Sequence, residues 1–397
     1  MALDAAAAQP LGKDRLFVHV VWEVLLACAV TAVAVALYAL EPDTYRQPSL
    51  RHSLVWIVVI LTLAIGVSLT VRAGVVNLAA GPVAVWSSNL FARHDYDGYA
   101  VAGAYAVGGA LAAGLVLALL VCVFRVPAWA ASLGLALLTV AVPLPYVPSL
   151  ENAAHRSEKE IRIWLVCAIA VSLLGGLLML ARGPRRALSQ YRIDGDPAGR
   201  PGPGPSLLAA LTLVASCGLA GLAGIMHTLA MRQPVEATQL GITLSTAALA
   251  AVLIGGVSAY GRRGGVAGTV LGVFLVIALD KLLNHNTGYQ LGLLGTAAMV
   301  LIAGLLVTRL IEWRTQPRPP KPTLLDPLSD PADQPIWPGE NPANDGDTEP
   351  PWAVREPDEA PAPWAVPHQA PRHGAEEREG AGADIDPWDT PPTRYKV

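Results

Sequence analysis

The sequence predicts an all-helical integral membrane protein of about ten transmembrane segments, some short and broken, followed by a disordered tail. Three observations carry this reading. The chain has 397 residues, 53% of them hydrophobic and only 15% charged. Apolar runs approaching the roughly 20 residues that cross a bilayer recur from Leu16 to Leu310, with short polar breaks between them. Charge and composition then change together. Residues 1–315 carry 21 Lys+Arg against 15 Asp+Glu, whereas residues 316–397 carry 7 against 16 and hold 19 of the 33 prolines.

The chain therefore divides into a polar N-terminus (1–15), a membrane domain (16–315) and an acidic tail rich in Pro and Trp (316–397). Segment one, Leu16–Leu40, is too long for a signal-peptide core and lacks a clean small-residue cleavage site, so it reads as a retained helix. His19 and Glu23 share one face near its start, a spacing that suits a shared hydrogen bond. Segment two, Ser53–Val71, ends at Arg72-Ala73-Gly74 and is followed by Val75-Val76-Asn77-Leu78-Ala79-Ala80-Gly81. The glycines Gly74 and Gly81 mark a break, after which segment three, Pro82–Phe91, is too short to span.

Segment four is Tyr99–Phe124, and Arg125-Val126-Pro127 opens segment five, which ends near Pro143–Pro148. A charged loop, Glu151–Arg162, leads to segment six, Ile163–Ala181. The most basic loop follows, with Arg182, Arg185, Arg186, Arg192 and Arg200, and closes on Pro201-Gly202-Pro203-Gly204-Pro205, residues that stop a helix. Segment seven is Ser206–Met231. Segment eight, Thr243–Val257, is short, ends on Gly255-Gly256, and meets a Gly/Arg turn containing Gly261, Gly264 and Gly265. Segments nine (Val266–Leu283) and ten (Leu291–Leu310) complete the membrane part. Segments two to five and seven to ten each hold a short, Gly-flanked element, consistent with internally repeated halves.

Placing the basic loop in the cytoplasm by the positive-inside rule puts both termini there, in a multi-pass protein of the plasma membrane. The tail has too few aliphatic residues to offset chain entropy and is expected to be disordered. It repeats Pro-Trp-Ala-Val at Pro351–Val354 and Pro363–Val366, and sets Trp337 and Trp388 beside prolines, a pattern suited to short docking motifs for cytoplasmic proteins. Compositional drift in a Pro/Ala-rich linker is the alternative. The four cysteines lie inside apolar segments without CxxC spacing and read as small buried hydrophobes.

Four stretches in chain order resemble the permease subunits of ribose / branched-chain amino-acid type ABC importers. They are Gly74–Gly81, Arg125–Gly134, Ser216–Gly224 and Ala250–Gly272, the last running Ala-Ala-Val-Leu-Ile-Gly-Gly, the glycine turn, then Gly268-Thr269-Val270-Leu271-Gly272. In the turn, Arg262 stands where the family has Gly and Gly265 where it often has Ser. Asn77 stands where the sugar type has Asp, while branched-chain amino-acid and nucleoside types tend to have Asn. The resemblance implies a permease dimer in membrane lipid, served by two ABC ATPase subunits inside and a solute-binding protein outside. It also implies alternating access driven by ATPase closure. The ATPase-coupling loop would comprise Arg186, Tyr191, Gly195, Asp196, Pro197 and Arg200.

Polar residues inside apolar segments are the pathway candidates: Asn77, Ser87, Ser88, Asn89, Gln233, Glu236 and Gln239. Each, taken singly, also suits a helix–helix hydrogen bond. Their Asn, Gln and Ser chemistry fits a neutral, hydroxyl-rich solute, and the Ala250–Gly272 match favours a monosaccharide; Asn77 keeps a branched-chain amino acid or nucleoside in play. No G-x-x-x-x-G-K-[ST], H-E-x-x-H or G-x-S-x-G occurs, so ATP hydrolysis is expected on a partner chain, with no cofactor, metal or nucleic acid on this one. A proton-driven transporter would want carboxylates at segment centres, which are lacking. The remaining rival is a non-transporting membrane scaffold that recruits partners through the tail.

Overall fold

A computed structural model describes residues 16–142, 158–178, 202–235, 238–257, 267–285 and 291–315. Among them are ten α-helices and no strand: α1 Leu16–Leu40, α2 Ser49–Arg72, α3 Ala80–Arg93, α4 Tyr99–Ala118, α5 Ala128–Ala141, α6 Glu158–Leu178, α7 Pro203–Met231, α8 Thr238–Ile254, α9 Gly268–Leu283 and α10 Gly292–Thr315. A single π-helical turn, Leu119–Val123, prolongs α4. Six of these helices are long and apolar enough to cross a membrane: α1, α2, α4 with its π turn, α6, α7 and α10. The others run 14 to 17 residues, about 21–26 Å at 1.5 Å per residue, short of a hydrocarbon core of roughly 30 Å.

The expected segments coincide with these helices, with α2, α6 and α8 each starting four or five residues early. Within the Pro201–Pro205 run, α7 begins at Pro203, three residues before the expected Ser206, with Gly202 as its N-cap; the coupling helix that the run is expected to cut short lies outside the described residues. Pro203 and Pro205 lie in the first turn, where a helix has no amide to lose to proline.

The core is built on α2, α7 and α8. Along α2, Val55, Val58 to Leu61, Leu63 and Ala64 are buried on every side, so this helix is sheathed by protein, whereas α1 and α6 turn most of their surface outward. Helix α7 packs against α2, α3 and α4; α8 packs against α2, α3, α9 and α10. Small residues set the closest approaches. A Cβ added at Gly224 on α7 would stand 2.2 Å from the carbonyl oxygen of Ala84 on α3, and one at Gly272 on α9 would stand 2.3 Å from that of Ala251 on α8. Without a hydrophobic driving force between helices in lipid, close backbone contact of this kind holds a bundle together.

Two helices end in the same broken form. At the end of α2, Gly74 has φ +80°, its amide donates to Val71 O at 3.1 Å, and Val75 N donates to Thr70 O at 2.9 Å. At the end of α8, Gly256 has φ +86°, its amide donates to Leu253 O at 2.9 Å, and Val257 N donates to Val252 O at 3.2 Å. Both are Schellman caps, which need a residue at positive φ and therefore glycine. Each is followed by a short helix, α3 or α9, and then a longer one, α4 or α10. The two breaks thus take matching places in α1–α4 and α7–α10, whereas the sequence pairs segments two to five with seven to ten.

Candidate functional site

The first break lies at mid-depth of the bundle. Asn77 faces Ser216, one residue from the midpoint of the 29-residue α7, and Gly81 faces Ser245, one residue from the midpoint of α8. Helix α3 then runs antiparallel to α8 as far as Asn89 and Val235. It therefore reaches from mid-depth to one face only.

Non-helical backbone at such depth must have its polar groups satisfied by protein. The site meets that demand group by group. Asn77 is 1% exposed. Its Oδ1 accepts from Ala79 N at 3.0 Å, and its Nδ2 donates to Ser216 Oγ at 3.1 Å and to Cys217 Sγ at 3.5 Å. Ser245 Oγ accepts from Gly81 N and donates to Leu78 O, both at 2.8 Å. Ser132 on α5 donates to Val76 O at 3.2 Å. Three helices thus supply the partners that α3 lacks in its own sequence, since its N-cap, Ala79, has no side-chain acceptor. Gly81 permits the approach: a Cβ there would fall 2.0 Å from Gly241 O.

The other pathway candidates on α3 are also bonded. Ser87 donates to Ala106 O at 3.3 Å. Ser88 shares a 2.7 Å hydrogen bond with Thr228 and accepts from Val235 N at 2.8 Å. Asn89 donates to Val85 O at 2.9 Å and Val235 O at 3.2 Å. Ser87 and Ser88 are fully buried, Asn89 is half-buried, and Gln233 beyond α7 is exposed. Glu236 and the side chain of Gln239 lie outside the described residues. So do Gly261, Gly264 and Gly265, the whole coupling loop (Arg186, Tyr191, Gly195, Asp196, Pro197, Arg200) and the tail with its Trp motifs.

The second break is held from elsewhere. Gly255 and Gly268 meet backbone to backbone, where a Cβ on Gly268 would fall 1.9 Å from Gly255 O. The first two amides at the start of α9, Ala267 N and Gly268 N, donate to Glu23 Oε1 at 2.9 and 3.2 Å, and Trp22 Nε1 donates to Ile254 O at 2.8 Å. Glu23 thus serves α9 across the bundle, a role that its spacing from His19 does not reveal. Nothing in the local sequence pairs residue 23 with residue 267; only the orphan amides of α9 create the demand.

Where the start of α2 meets the end of α7, Trp56 lies between two histidines: it donates to His52 Nε2 at 2.7 Å, and its ring is 5.0 Å from that of His227. His227 is buried, and its Nδ1 has no hydrogen-bond partner among the described residues. Arg72, at the end of α2, is also buried, with Nε donating to Ser68 Oγ at 3.3 Å. The cysteines divide: Cys217 is buried at the first break and Cys122 half-buried, but Cys28 and Cys167 sit on outward faces, which corrects the reading of all four as buried. No group of three His, Cys, Asp or Glu side chains is placed to hold a metal among the described residues.

The chain matches the family described as "Branched-chain amino acid transport system / permease component" over residues 49–310. No curated protein and no solved structure gives a significant match. The matched region contains both breaks, α2 to α9 and nearly all of α10, and excludes α1 and the tail. The protein is a multi-pass membrane permease subunit, and the chain belongs to the family of branched-chain amino acid transport system permease components.

Proposed function

We propose that this chain is the permease subunit of an ATP-driven importer that passes a small polar solute, delivered by a solute-binding protein, across the plasma membrane. The observation that carries the reading is the family match across 49–310. The permease works as a dimer in lipid with two ABC ATPase subunits, which engage the basic 182–200 loop on the cytoplasmic side, where both termini also lie. Importers of this plan need rigid halves that move as bodies around a broken-helix centre, and the paired breaks, each hydrogen-bonded to neighbouring helices, fit that need.

The pathway candidates take two roles in this proposal. Asn77, Ser87 and Ser88 hold the wall, because their hydrogen-bonding groups are spent on the protein. Asn89 and Gln233, near the stretch that contains Glu236 and Gln239, form the mouth that meets the incoming solute. A monosaccharide is the first substrate candidate, on the Ala250–Gly272 resemblance. A branched-chain amino acid, as in the family's description, or a nucleoside is the second.

The test is co-purification of the full chain from its native membrane in mild detergent, with and without 182–200 replaced by a Gly/Ser linker, paired with uptake of labelled ribose, leucine and adenosine. An ATPase subunit that is captured with the native loop and lost with the linker supports the importer. Tail-binding proteins without any ATPase, and no uptake of the three solutes, would favour the scaffold.

A further inference from the structure

Helix α1 lies outside the residues matched by the family, yet it completes the second break. It runs along α9 in the same direction and is tied to it at both ends. Glu23 accepts from Ala267 N and Gly268 N where α9 begins. Eighteen residues later, counted from Glu23 and from Ala267 alike, the Glu41 carboxylate pairs with His285 at 3.1 Å, just past the end of α9. Beside the first tie, Trp22 reaches the last carbonyl of α8. Most of the remaining surface of α1 faces outward, with Leu26 and Leu37 as its buried anchors.

The first break shows what this arrangement replaces. There the cap of the short helix comes from within the connecting segment, through Asn77, backed by Ser132 and Ser245. Helix α9 has Ala267 as its N-cap residue, with no side-chain acceptor of its own. Its first amides have no partner within the helix and carry the positive end of its dipole. A carboxylate supplied by another helix satisfies both demands, since it is a charged acceptor at a helix N-terminus.

We propose that α1 is a strap that fixes the position of α9 against α8, and that Glu23 is the positioning residue through which it acts, with Trp22 as its companion on the α8 side. Glu23 touches no solute in this role; it sets the geometry of the second break, and so governs the rate of transport rather than the affinity for the solute. That last step rests on the permease reading above.

Two measurements on the full-length chain test it. The first is amide hydrogen exchange in detergent, resolved at residues 267–268, for wild type, Glu23→Ala, Glu23→Gln and Trp22→Phe. Glu23→Ala is expected to speed exchange at these two amides about fivefold, the factor matching a lost N-cap, while α2, α3 and α7 keep their protection. Glu23→Gln, which retains an acceptor, should stay within about threefold of wild type. Unchanged exchange at 267–268, or equal loosening across all helices, would overturn the proposal. The second is uptake of whichever solute the wild type carries: Glu23→Ala should lower the maximal rate with KM retained, and Glu23→Gln should restore it. A raised KM at full maximal rate would place Glu23 on the solute path and contradict the strap. Should the wild type carry no solute, the permease reading fails, and the exchange result still decides whether Glu23 positions the break.

Discussion

Replacing Asn77 separates a structural polar residue from one that reads the solute. In Asn77→Ala, Ala79 N loses its acceptor, and Ser216 Oγ loses the amide that donates to it at 3.1 Å. Losing an N-cap costs about 1 kcal/mol. A side-chain hydrogen bond between membrane helices contributes about 0.6 kcal/mol on average and at most about 1.7. Together they give a destabilisation of about 1.6–2.7 kcal/mol, or roughly 14- to 85-fold in the folding equilibrium at about 1.4 kcal/mol per decade. The assay is reversible unfolding in mixed detergent micelles of Asn77→Ala, Ser216→Ala and the double variant. A coupling energy of about 0.6–1.7 kcal/mol is expected between the two sites. Strict additivity, within about 0.3 kcal/mol, would show that the 3.1 Å contact carries no energy and refute the argument. Uptake by Asn77→Ala in intact membranes should keep the wild-type KM, because no hydrogen-bonding atom of Asn77 is left to meet a solute.

Three further outcomes follow from the packing. Gly268→Ala places a methyl 1.9 Å from Gly255 O, an overpacking expected to cost at least about 1–3 kcal/mol, whereas Gly103→Ala, with nothing within 4 Å, should leave the melting temperature in detergent unchanged or raised; equal effects of the two would contradict the backbone contact. His227→Phe keeps a ring against Trp56 and removes the buried Nδ1 that has no partner among the described residues, so thermal stability should hold or rise, and a loss above about 2 kcal/mol would mean that His227 has a partner of its own. N-ethylmaleimide added to the detergent-solubilised protein should label Cys28 and Cys167 readily and Cys217 only after denaturation, as read by peptide mass; prompt labelling of Cys217 would contradict its burial beneath Asn77.

Much of the membrane domain was legible because hydropathy and glycine act locally. The ten apolar segments map onto ten helices, since each must bury or shield its own backbone within one stretch of chain. Both breaks were visible as Gly74 and Gly255–Gly256, because a Schellman cap needs positive φ at a single residue. The roles of the polar residues were less visible. Asn77, Ser87 and Ser88 look the same in sequence whether they face a solute or a neighbouring helix, and only the partners, Ser216, Ala106 and Thr228, decide. Those partners lie up to 140 residues away. Glu23 was missed for the same reason: its partners lie 244 and 245 residues on and are backbone amides, which leave no mark in side-chain composition. Arg125 and Arg232 adopt φ +58° without a glycine to signal the turn. Cys28 and Cys167 were misjudged because an apolar segment shows that a residue leaves water, not whether lipid or protein receives it.

The two breaks also differ in what a mutation would do. The first is held by α5, α7 and α8, all within the family-matched core. The second depends on α1, most of whose surface faces outward. A change at Asn77 should therefore lower global stability, whereas a change at Glu23 should loosen one junction and leave the bundle folded.

The measurement that bears most directly on the central claim is capture of partners by the full-length chain from its native membrane, with the 182–200 loop intact or replaced. The account predicts an ABC ATPase subunit bound to the intact chain and absent from the replaced one, with uptake of a small polar solute lost in parallel. Recovery of the intact, folded chain without an ATPase, from membranes in which other permeases retain theirs, would contradict it.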